Sequence, residues 1–482
     1  MTLLETTTPE SRPPSVPPRT ARKGWFGQLL LRLHFYAGIF IGPFILVSAV
    51  SGALYAITPQ IEQAIYSKEL HAPVADSYLP LADQVETANA YMGGGDALVA
   101  VRPAPNPGDT TRMMYADENL GASETRAIFV DPATAEIRGD LTAYGTSGAL
   151  PLRTWIDHLH RNLQLGEPGR LYSELGASWL GVIALAGLGL WILRIKRTRR
   201  KKDLIRPNIK ATGYRRLASL HGSLGIWILL GAFFLSATGI TWSTYGGANV
   251  SELRSALSWG TPAVATDLSA AEDSASDEHA HHHGAAVAPI GESVNPAAFD
   301  TMLSIAQEVN VNTGLVEIKP PAAEGKAWVV QEIQRSYPTE VDATSINGQS
   351  LEVVDRVDFK DFSLAAKLSR WGIDIHMGSM FGVLNQILLF LLASGITTMV
   401  VLGYVMWWKR RPINNPARRM GKTPSRGGLT RAPWWGTLLV LCAAVAVGVF
   451  LPLMGISLAA FLLIDVIVGR MQRAKTKRLA PE

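Results

Sequence analysis

Long apolar stretches dominate the pattern of hydrophobic and polar positions along this chain. Five of them contain no Asp, Glu, Lys or Arg, and they cover residues 33–61, 175–193, 217–251, 375–408 and 432–464. A helix needs about 20 predominantly apolar residues to cross a bilayer. The pattern therefore predicts a polytopic membrane protein, and it excludes a soluble enzyme, a nucleic-acid-binding protein and a disordered protein.

The last apolar stretch is too long for one membrane helix. From Trp434 to Gly469 it would measure about 54 Å at 1.5 Å per residue, against a hydrocarbon core of about 30 Å. Pro452 lies at its middle, and Arg431 and Arg470 flank its ends. These features predict a short helical hairpin, which brings the number of membrane helices to six.

The predicted segments fall into three groups. Membrane helices are predicted at 25–57, 171–197, 217–245 and 376–408, with the hairpin at 434–469. Extracytoplasmic modules are predicted at 58–170 and 246–375, the second with a His-rich linker at 262–291. Cytoplasmic segments are predicted at 1–24 (a disordered tail), 198–216 and 409–433 (basic loops) and 470–482 (a second tail).

The distribution of charge predicts the orientation in the membrane. Lys and Arg cluster before the first helix, in the two short loops and after the hairpin, whereas Asp and Glu predominate in the two long polar regions. The positive-inside rule then places both termini in the cytoplasm and the long regions outside it. This is the topology of a multi-pass protein of a bacterial inner membrane. Because contact with membrane lipid accounts for the basic runs, no nucleic-acid partner is expected.

The chain contains an internal repeat marked by histidines. His34 and His221 share the pattern H-x-x-x-G-I-x-I, followed by Ser51-Gly52 in the first copy and Thr238-Gly239 in the second. His160 and His376 share a Trp five residues earlier. Each half of the chain contains a helix that crosses from the cytoplasmic side to the other side, an extracytoplasmic region and a helix that crosses back. Two such parallel repeats imply a pseudo-two-fold axis along the membrane normal.

Each outer region has the alternation of a small α+β module. In the first, a helix is predicted at 80–92, strands at 98–102 and 111–115, and a hairpin around 130–136. In the second, a helix is predicted at 297–310, strands at 315–319 and 327–334, and a hairpin around 347–348. The predicted fold class is thus a mainly α membrane protein, a bundle of about six helices with two α+β modules.

The repeat brings the histidines together in two pairs. His34 and His221, here the inner pair, occupy equivalent heights near the cytoplasmic face, and His160 and His376, the outer pair, occupy equivalent heights near the other face. Two imidazoles that face each other across a helical bundle can ligate haem b. The residues four positions after the inner histidines, Gly38 and Gly225, leave room for a flat macrocycle. The single cysteine excludes a four-cysteine iron–sulfur site.

Other interpretations of these side chains stay open. The histidines could be structural, or they could relay protons, although no intramembrane Asp or Glu accompanies the inner pair. His158 could replace His160, but positions i and i+2 of a helix do not share a face, and Met377 is a further possible ligand. A separate cluster in the linker could bind Cu²⁺, Zn²⁺ or iron, and its members are His279, His281, His282 and His283.

These motifs resemble those of the PepSY-associated transmembrane-helix proteins, a family also described as iron-regulated membrane proteins. The resemblance extends from about residue 29 to 469 and rests on Leu33-His34, Leu159-His160-Arg161, Leu220-His221, Ile375-His376-Met377-Gly378, Ser394-Gly395, Trp407-Trp408 and Leu451-Pro452-Leu453. It implies PepSY-like outer modules. For some members it implies a di-haem reductase of ferric siderophores, with His34, His160, His221 and His376 as ligands.

The sequence thus predicts a transmembrane electron-transfer protein with two b-type haems. Electrons would enter at the inner pair and leave from the outer pair to a ferric siderophore or another metal chelate. The cytoplasmic loops are too short for a flavin or nicotinamide domain, so the donor would be a membrane quinol or a separate reductase. The alternatives are a non-enzymatic, membrane-anchored module that binds a peptide, protease or metal, and a chelate permease.

Overall fold

The computed structural model of the chain describes residues 24–93, 97–196, 204–268, 294–411 and 423–478, the last six without their side chains. Helices in these ranges are α1 Trp25–Phe40, α2 Gly42–Ile65, α3 Ser67–Leu70, α4 Leu81–Met92, α5 Pro151–Asn162, α6 Glu167–Ile195, α7 Gly213–Thr241, α8 Tyr245–Ala256, α9 Ala297–Glu308, α10 Leu364–His376, α11 Gly382–Lys409, α12 Trp434–Phe450 and α13 Pro452–Arg478. Strands are β1 Leu98–Arg102, β2 Thr111–Tyr115, β3 Glu124–Val130, β4 Ile137–Tyr144, β5 Val316–Lys319, β6 Trp328–Glu332, β7 Ala343–Ile346 and β8 Val353–Val357. The predicted N-terminal tail before Gly24 and the His279–His283 cluster lie outside the described residues.

Five of the described helices are long and apolar enough to cross a membrane. They are α2, α6, α7, α11 and the part of α13 that ends at Gln472. The prediction of a polytopic membrane protein is therefore confirmed. The helix α12 is apolar but shorter, with 17 residues.

The first predicted membrane helix differs from the observed one at both its middle and its end. It is divided into α1 and α2 at Ile41, two residues before Pro43. The predicted end at residue 57 is wrong, because α2 continues through Pro59 to Ile65. A proline removes one backbone donor, but tertiary contacts hold this last turn. Glu62, which is buried, accepts a hydrogen bond from the backbone N–H of Leu150 at 2.7 Å.

The fourth predicted membrane helix begins too early. The segment from 376 is not continuous, because His376 ends α10 and the membrane helix α11 starts only at Gly382. Between them Gly378 adopts φ 79°, a left-handed conformation that favours glycine. His376 therefore belongs to a separate amphipathic helix on the sheet side of the bundle.

The last apolar stretch is divided at its proline. The helix α12 ends at Phe450 and α13 begins at Pro452, where a missing backbone N–H is tolerated because the first turn of a helix leaves it unpaired. The two helices approach closely, since a Cβ added to Gly455 would lie 2.7 Å from the carbonyl oxygen of Gly448. This is the geometry of a helical hairpin.

The two outer modules form one sheet. Eight antiparallel strands follow the order β4-β3-β2-β1-β5-β6-β7-β8, and the two halves join where Val101 of β1 pairs with Ile318 of β5. The prediction of two separate modules is thus refined to a single layer. The helices α4 and α9 are linked as well, because the carboxylate of Asp300 accepts hydrogen bonds from the backbone N–H groups of Leu81 and Ala82, both at 2.9 Å.

The two faces of this sheet have different partners. Since side chains alternate along a strand, one face buries an apolar core with α4 and α9, which includes Val85, Met113, Ile128, Phe299 and Ile318. The opposite face carries charges: Arg102 of β1 binds Glu317 of β5 at 2.6 Å, and both side chains are buried. The loop 145–148 covers this face, and its Thr146 carbonyl accepts from Arg102 at 3.1 Å. The charged face is thus the one that lies toward the histidines of the outer pair.

Candidate functional site

The inner pair lies within the helical bundle. His34 of α1 and His221 of α7 face each other with ring centroids 6.0 Å apart and ring planes at 82°. Both helices are apolar over most of their length. The structure therefore brings together two histidines that are far apart in the sequence, as the repeat predicts.

The outer pair is carried by two amphipathic helices that lie between the bundle and the sheet. His160 of α5 and His376 of α10 have ring centroids 6.5 Å apart, with ring planes at 62°. Tyr172 of α6 fixes the end of α5, because its hydroxyl donates to the carbonyl of His160 at 2.6 Å. The turn after α5 requires Gly169, since a Cβ there would lie 1.7 Å from the carbonyl oxygen of Asn162.

Both separations fit a metal ion held between two imidazoles. Two metal–nitrogen bonds of about 2 Å, together with the distance from each nitrogen to its ring centre, give a centroid separation of roughly 6 Å. The observed values are 6.0 and 6.5 Å. The two pairs therefore have the spacing that a six-coordinate haem iron needs along its axis.

A side-chain hydroxyl contacts each ring of the outer pair, Ser51 at His160 and Thr238 at His376. The Ser51 hydroxyl donates to the Val47 carbonyl at 2.7 Å, and the Thr238 hydroxyl donates to the Phe234 carbonyl at 2.7 Å. With its one proton on the helix carbonyl, each hydroxyl accepts from the histidine at its Nδ1 atom. These contacts measure 3.1 Å for His160 and 2.6 Å for His376. In this arrangement both rings have Nε2 unprotonated, which is the form that binds metals.

The inner pair is oriented in a different way. His34 Nδ1 lies 2.9 Å from the backbone carbonyl of Ile183, to which it must donate. The imidazole of His221 has a hydrogen bond with the backbone of Met399. Both observations fit a pair of metal ligands.

A large cavity opens at the outer pair. Its volume is about 1050 Å³, and His160, His376 and Met377 are among the residues that line it. Gly52 is needed on its wall, because a Cβ there would lie 3.2 Å from His160 Cε1. Ligand cavities of several hundred Å³ accommodate cofactor-sized molecules. The cavity therefore has room for a macrocycle.

The two glycines beside the inner pair differ. A Cβ at Gly38 would meet no atom within 4 Å, so this position is open as predicted. A Cβ at Gly225 would lie 3.0 Å from Met399 Cε. The space expected at Gly225 is thus taken by the flexible side chain of Met399.

The electrostatics of the outer pair keep its imidazoles neutral. Burial, and after it the neighbouring His160, lower the pKa of His376 to about 3. Burial also lowers the pKa of His160, although Asp157 opposes this shift. Neutral imidazole is the metal-binding form, so both rings are ready to coordinate at neutral pH.

Of the alternative ligands, His158 lies elsewhere. Its ring packs against Tyr144 at 5.1 Å between centroids, whereas His160 faces His376. Met377 does line the cavity, and its Sδ atom is 3.5 Å from Arg335 Nη1. The structure thus separates His158 from the outer pair but leaves Met377 beside it.

Sequence reasoning missed several side chains at the outer pair. In the sequence, Ser51 and Thr238 stand out only by their equivalent positions in the two copies of the repeat, and this equivalence is the available signal for a shared role. Arg335 lies in the connection between β6 and β7 and belongs to no motif. Only the fold brings it to the cavity.

The fold and the site define a class of protein: a multi-pass membrane protein whose helical bundle carries two facing histidine pairs beside one antiparallel sheet. The family model described as PepSY-associated TM region matches residues 31–410, and the chain belongs to this family. The matched range includes all four paired histidines and ends before α12. A comparison with curated proteins finds no match.

Proposed function

We propose that this chain is a haem b transmembrane electron-transfer protein that reduces a ferric siderophore or another ferric chelate for iron uptake. The observation that carries the proposal is the presence of two histidine pairs with ring centroids 6.0 and 6.5 Å apart. Membership of the PepSY-associated TM family supports a role in iron metabolism, as its resemblance to iron-regulated membrane proteins implies.

The side chains divide the work between two sites. His34 and His221 hold one haem, and His160 and His376 hold the other. Each bound haem supplies one-electron transfer between its ferric and ferrous states. Ser51 and Thr238 orient the outer ligands, and the carbonyl of Ile183 orients His34.

The proposed topology has six membrane helices, with α12 as the sixth, arranged as two parallel repeats. The short basic loops face the cytoplasm, as do both termini, and the sheet lies outside the cytoplasm. In a bacterial inner membrane this arrangement places the inner pair nearer a membrane quinol or a separate cytoplasmic reductase, which we propose as electron donor.

The substrate in this proposal approaches from the side of the sheet. A siderophore binds Fe³⁺ through hard oxygen ligands, and addition of one electron gives Fe²⁺, which such ligands hold less tightly. The cavity at the outer pair extends to polar residues of α8, among them Ser251 and Glu252. These residues offer a wall against which a polar chelate can lie.

A pyridine haemochrome assay on the purified full-length protein tests the proposal. We expect two b-type haems per chain after expression with haem supplied, and chelate-dependent appearance of Fe²⁺ once the protein is reduced. His158→Ala serves as the matched control, because its ring lies away from the outer pair, and it should retain both haems. A haem content near zero in the unmodified protein would contradict the proposal and favour a membrane-anchored binding module.

A further inference from the structure

The cavity at the outer pair contains an excess of positive charge that the histidines do not explain. The guanidinium groups of Arg161, Arg170 and Arg335 line it, together with the carboxylates of Asp157 and Glu252. A buried guanidinium is costly unless an anion or several acceptors satisfy it. The bonding of each arginine therefore shows where an anion is still missing.

Arg170 is satisfied by the protein itself. Its guanidinium lies 3.3 Å from the Glu167 carboxylate, and it donates to the Trp242 carbonyl at 3.0 Å. The side chain is buried. Nothing about Arg170 calls for a further partner.

Arg161 is only partly satisfied. Its guanidinium hydrogen-bonds the Tyr144 hydroxyl and lies over the Tyr144 ring, with the Cζ atom 5.5 Å from the ring centroid. Its Nε atom is buried and has no hydrogen-bond partner among the described residues. Arg161 directly follows His160 in the chain, and both residues line the same cavity.

The positive charge of Arg335 is only partly balanced by nearby carboxylates. Its guanidinium binds the Thr146 hydroxyl, and its nearest ion-pair partner is the Asp374 carboxylate at 3.8 Å. That carboxylate is already engaged at 3.0 Å by Arg370. One carboxylate thus serves two guanidiniums. Burial, and after it the charge of Arg370, lower the pKa of Arg335 to about 10.

The two incompletely paired arginines, Arg161 and Arg335, are each associated with a different histidine of the outer pair. Arg161 is the chain neighbour of His160, and Arg335 contacts Met377, the chain neighbour of His376. Each outer histidine therefore has one cation near it that lines the same cavity. A guanidinium presents parallel N–H groups that match the two oxygens of a carboxylate.

We propose that Arg161 and Arg335 form a carboxylate-binding site that holds the propionate groups of the haem at the outer pair. This inference rests on the proposed function. Two carboxylates would supply the anions that these guanidiniums lack. The arginines would also orient the macrocycle about the axis between the histidines. Because reduction adds a negative charge, the two cations favour the reduced state and raise the midpoint potential of the outer haem.

Redox titration of the purified protein, followed by absorption, tests this site. The outer component is identified first as the one lost in His376→Ala. We expect Arg335→Gln and Arg161→Gln each to lower its midpoint potential and to leave the inner component unchanged, whereas Arg335→Lys retains most of the potential. Arg356→Gln, which removes an ion pair with Asp358 on the sheet, is the control and should shift neither component.

The outcomes separate the inference from the proposed function. Absence of haem from the unmodified protein overturns both. Two haems with an unchanged outer potential in both glutamine variants overturn only the arginine site. If these variants instead raise the KM for ferric citrate, a carboxylate chelate, while the potential is unchanged, the arginines bind substrate and the inference is also wrong. Retention of the inner component in each variant shows that the bundle is folded.

Discussion

The two histidine pairs have similar ring separations, but they lie on different kinds of helix and have different hydrogen-bond partners. The inner pair stands on helices α1 and α7 of the bundle, and its rings hydrogen-bond to backbone groups, His34 to Ile183 and His221 to Met399. The outer pair stands on the short helices α5 and α10, and both of its Nδ1 atoms contact side-chain hydroxyls. A large cavity with arginines adjoins the outer pair.

The difference indicates a division between a rigid site and an adjustable one. A backbone carbonyl inside a membrane helix cannot be altered without altering the helix, so the inner site depends mainly on the bundle. The outer site depends on hydroxyls, on guanidiniums and on the sheet above it. Changes in the sheet should therefore reach the outer pair and not the inner one.

Substitution of the histidines should have the largest effect on the difference between the two pairs. In the proposed function each substitution would delete one ligand of one haem, so His221→Ala should abolish the inner component and His376→Ala the outer. With His221→Ala, external dithionite should still reduce the remaining haem. Absorption spectra of the reduced proteins measure both effects. If His34→Ala and His376→Ala deplete the same component, then the histidines pair along the bundle and the assignment is wrong.

Loss of the buried ion pair between Arg102 and Glu317 should destabilise the sheet and the outer pair and leave the inner pair unaffected. Glu317→Gln leaves Arg102 buried without a charged partner, which costs about 3–5 kcal/mol of unfolding free energy. Thermal unfolding should show a lower midpoint, with the outer haem released before the inner one. The exposed pair of Asp267 and Lys326, 2.7 Å apart, gives the control Asp267→Asn, for which we expect a change below about 1 kcal/mol.

The same carboxylate makes stability depend on pH. Burial by itself would raise the pKa of Glu317, but Arg102 and Lys319 hold it well below its usual range. The ionised group therefore contributes stability above its unfolded pKa of about 4.3, and this contribution is lost as the pH falls toward the lowered native value. Between about pH 5 and 3, the midpoint temperature of thermal unfolding should fall more steeply in the unmodified protein than in Glu317→Gln. Parallel slopes would show that this group is not responsible.

The hydroxyl partners offer a smaller and more selective change. Thr238→Val removes the acceptor of His376 without changing the shape of the side chain, and we expect about a 10–100-fold loss of affinity for the outer haem. Thr238→Ser should restore it. Haem transfer to apomyoglobin measures the loss. Thr398→Val removes a similar bond, from an exposed residue of α11 to the Ser394 carbonyl, and is the control. Equal losses in both valine variants would refute a role in orienting His376.

The smallest effect is expected from the His-rich linker. Because it lies outside both repeats, deletion of residues 277–284 should leave both haem components unchanged, while equilibrium binding of Zn²⁺ or Cu²⁺ decreases. Spectra and metal titration of the deleted protein provide the measurement. A collapse of the haem spectrum would require new ligands to be sought among His279, His281, His282 and His283.

Local patterns were sufficient to predict much of this protein. The residues of β1 and β2 coincide with the predicted strands, because alternation with a period of two is a property of neighbouring residues. Uncharged stretches revealed the membrane helices for the same reason. The histidines of the two pairs could be matched because the repeat places equivalent residues at equivalent heights.

Only the tertiary structure decided how distant segments meet. The union of the two modules depends on the pairing of Val101 with Ile318, and no local pattern encodes which strand edges join. The continuation of α2 past Pro59 depends on Glu62 and the backbone of Leu150. Arg335 reaches the cavity because β6 and β7 carry it there. Such contacts link residues far apart in the chain, and their energies arise from burial and charge that exist only once the chain has folded.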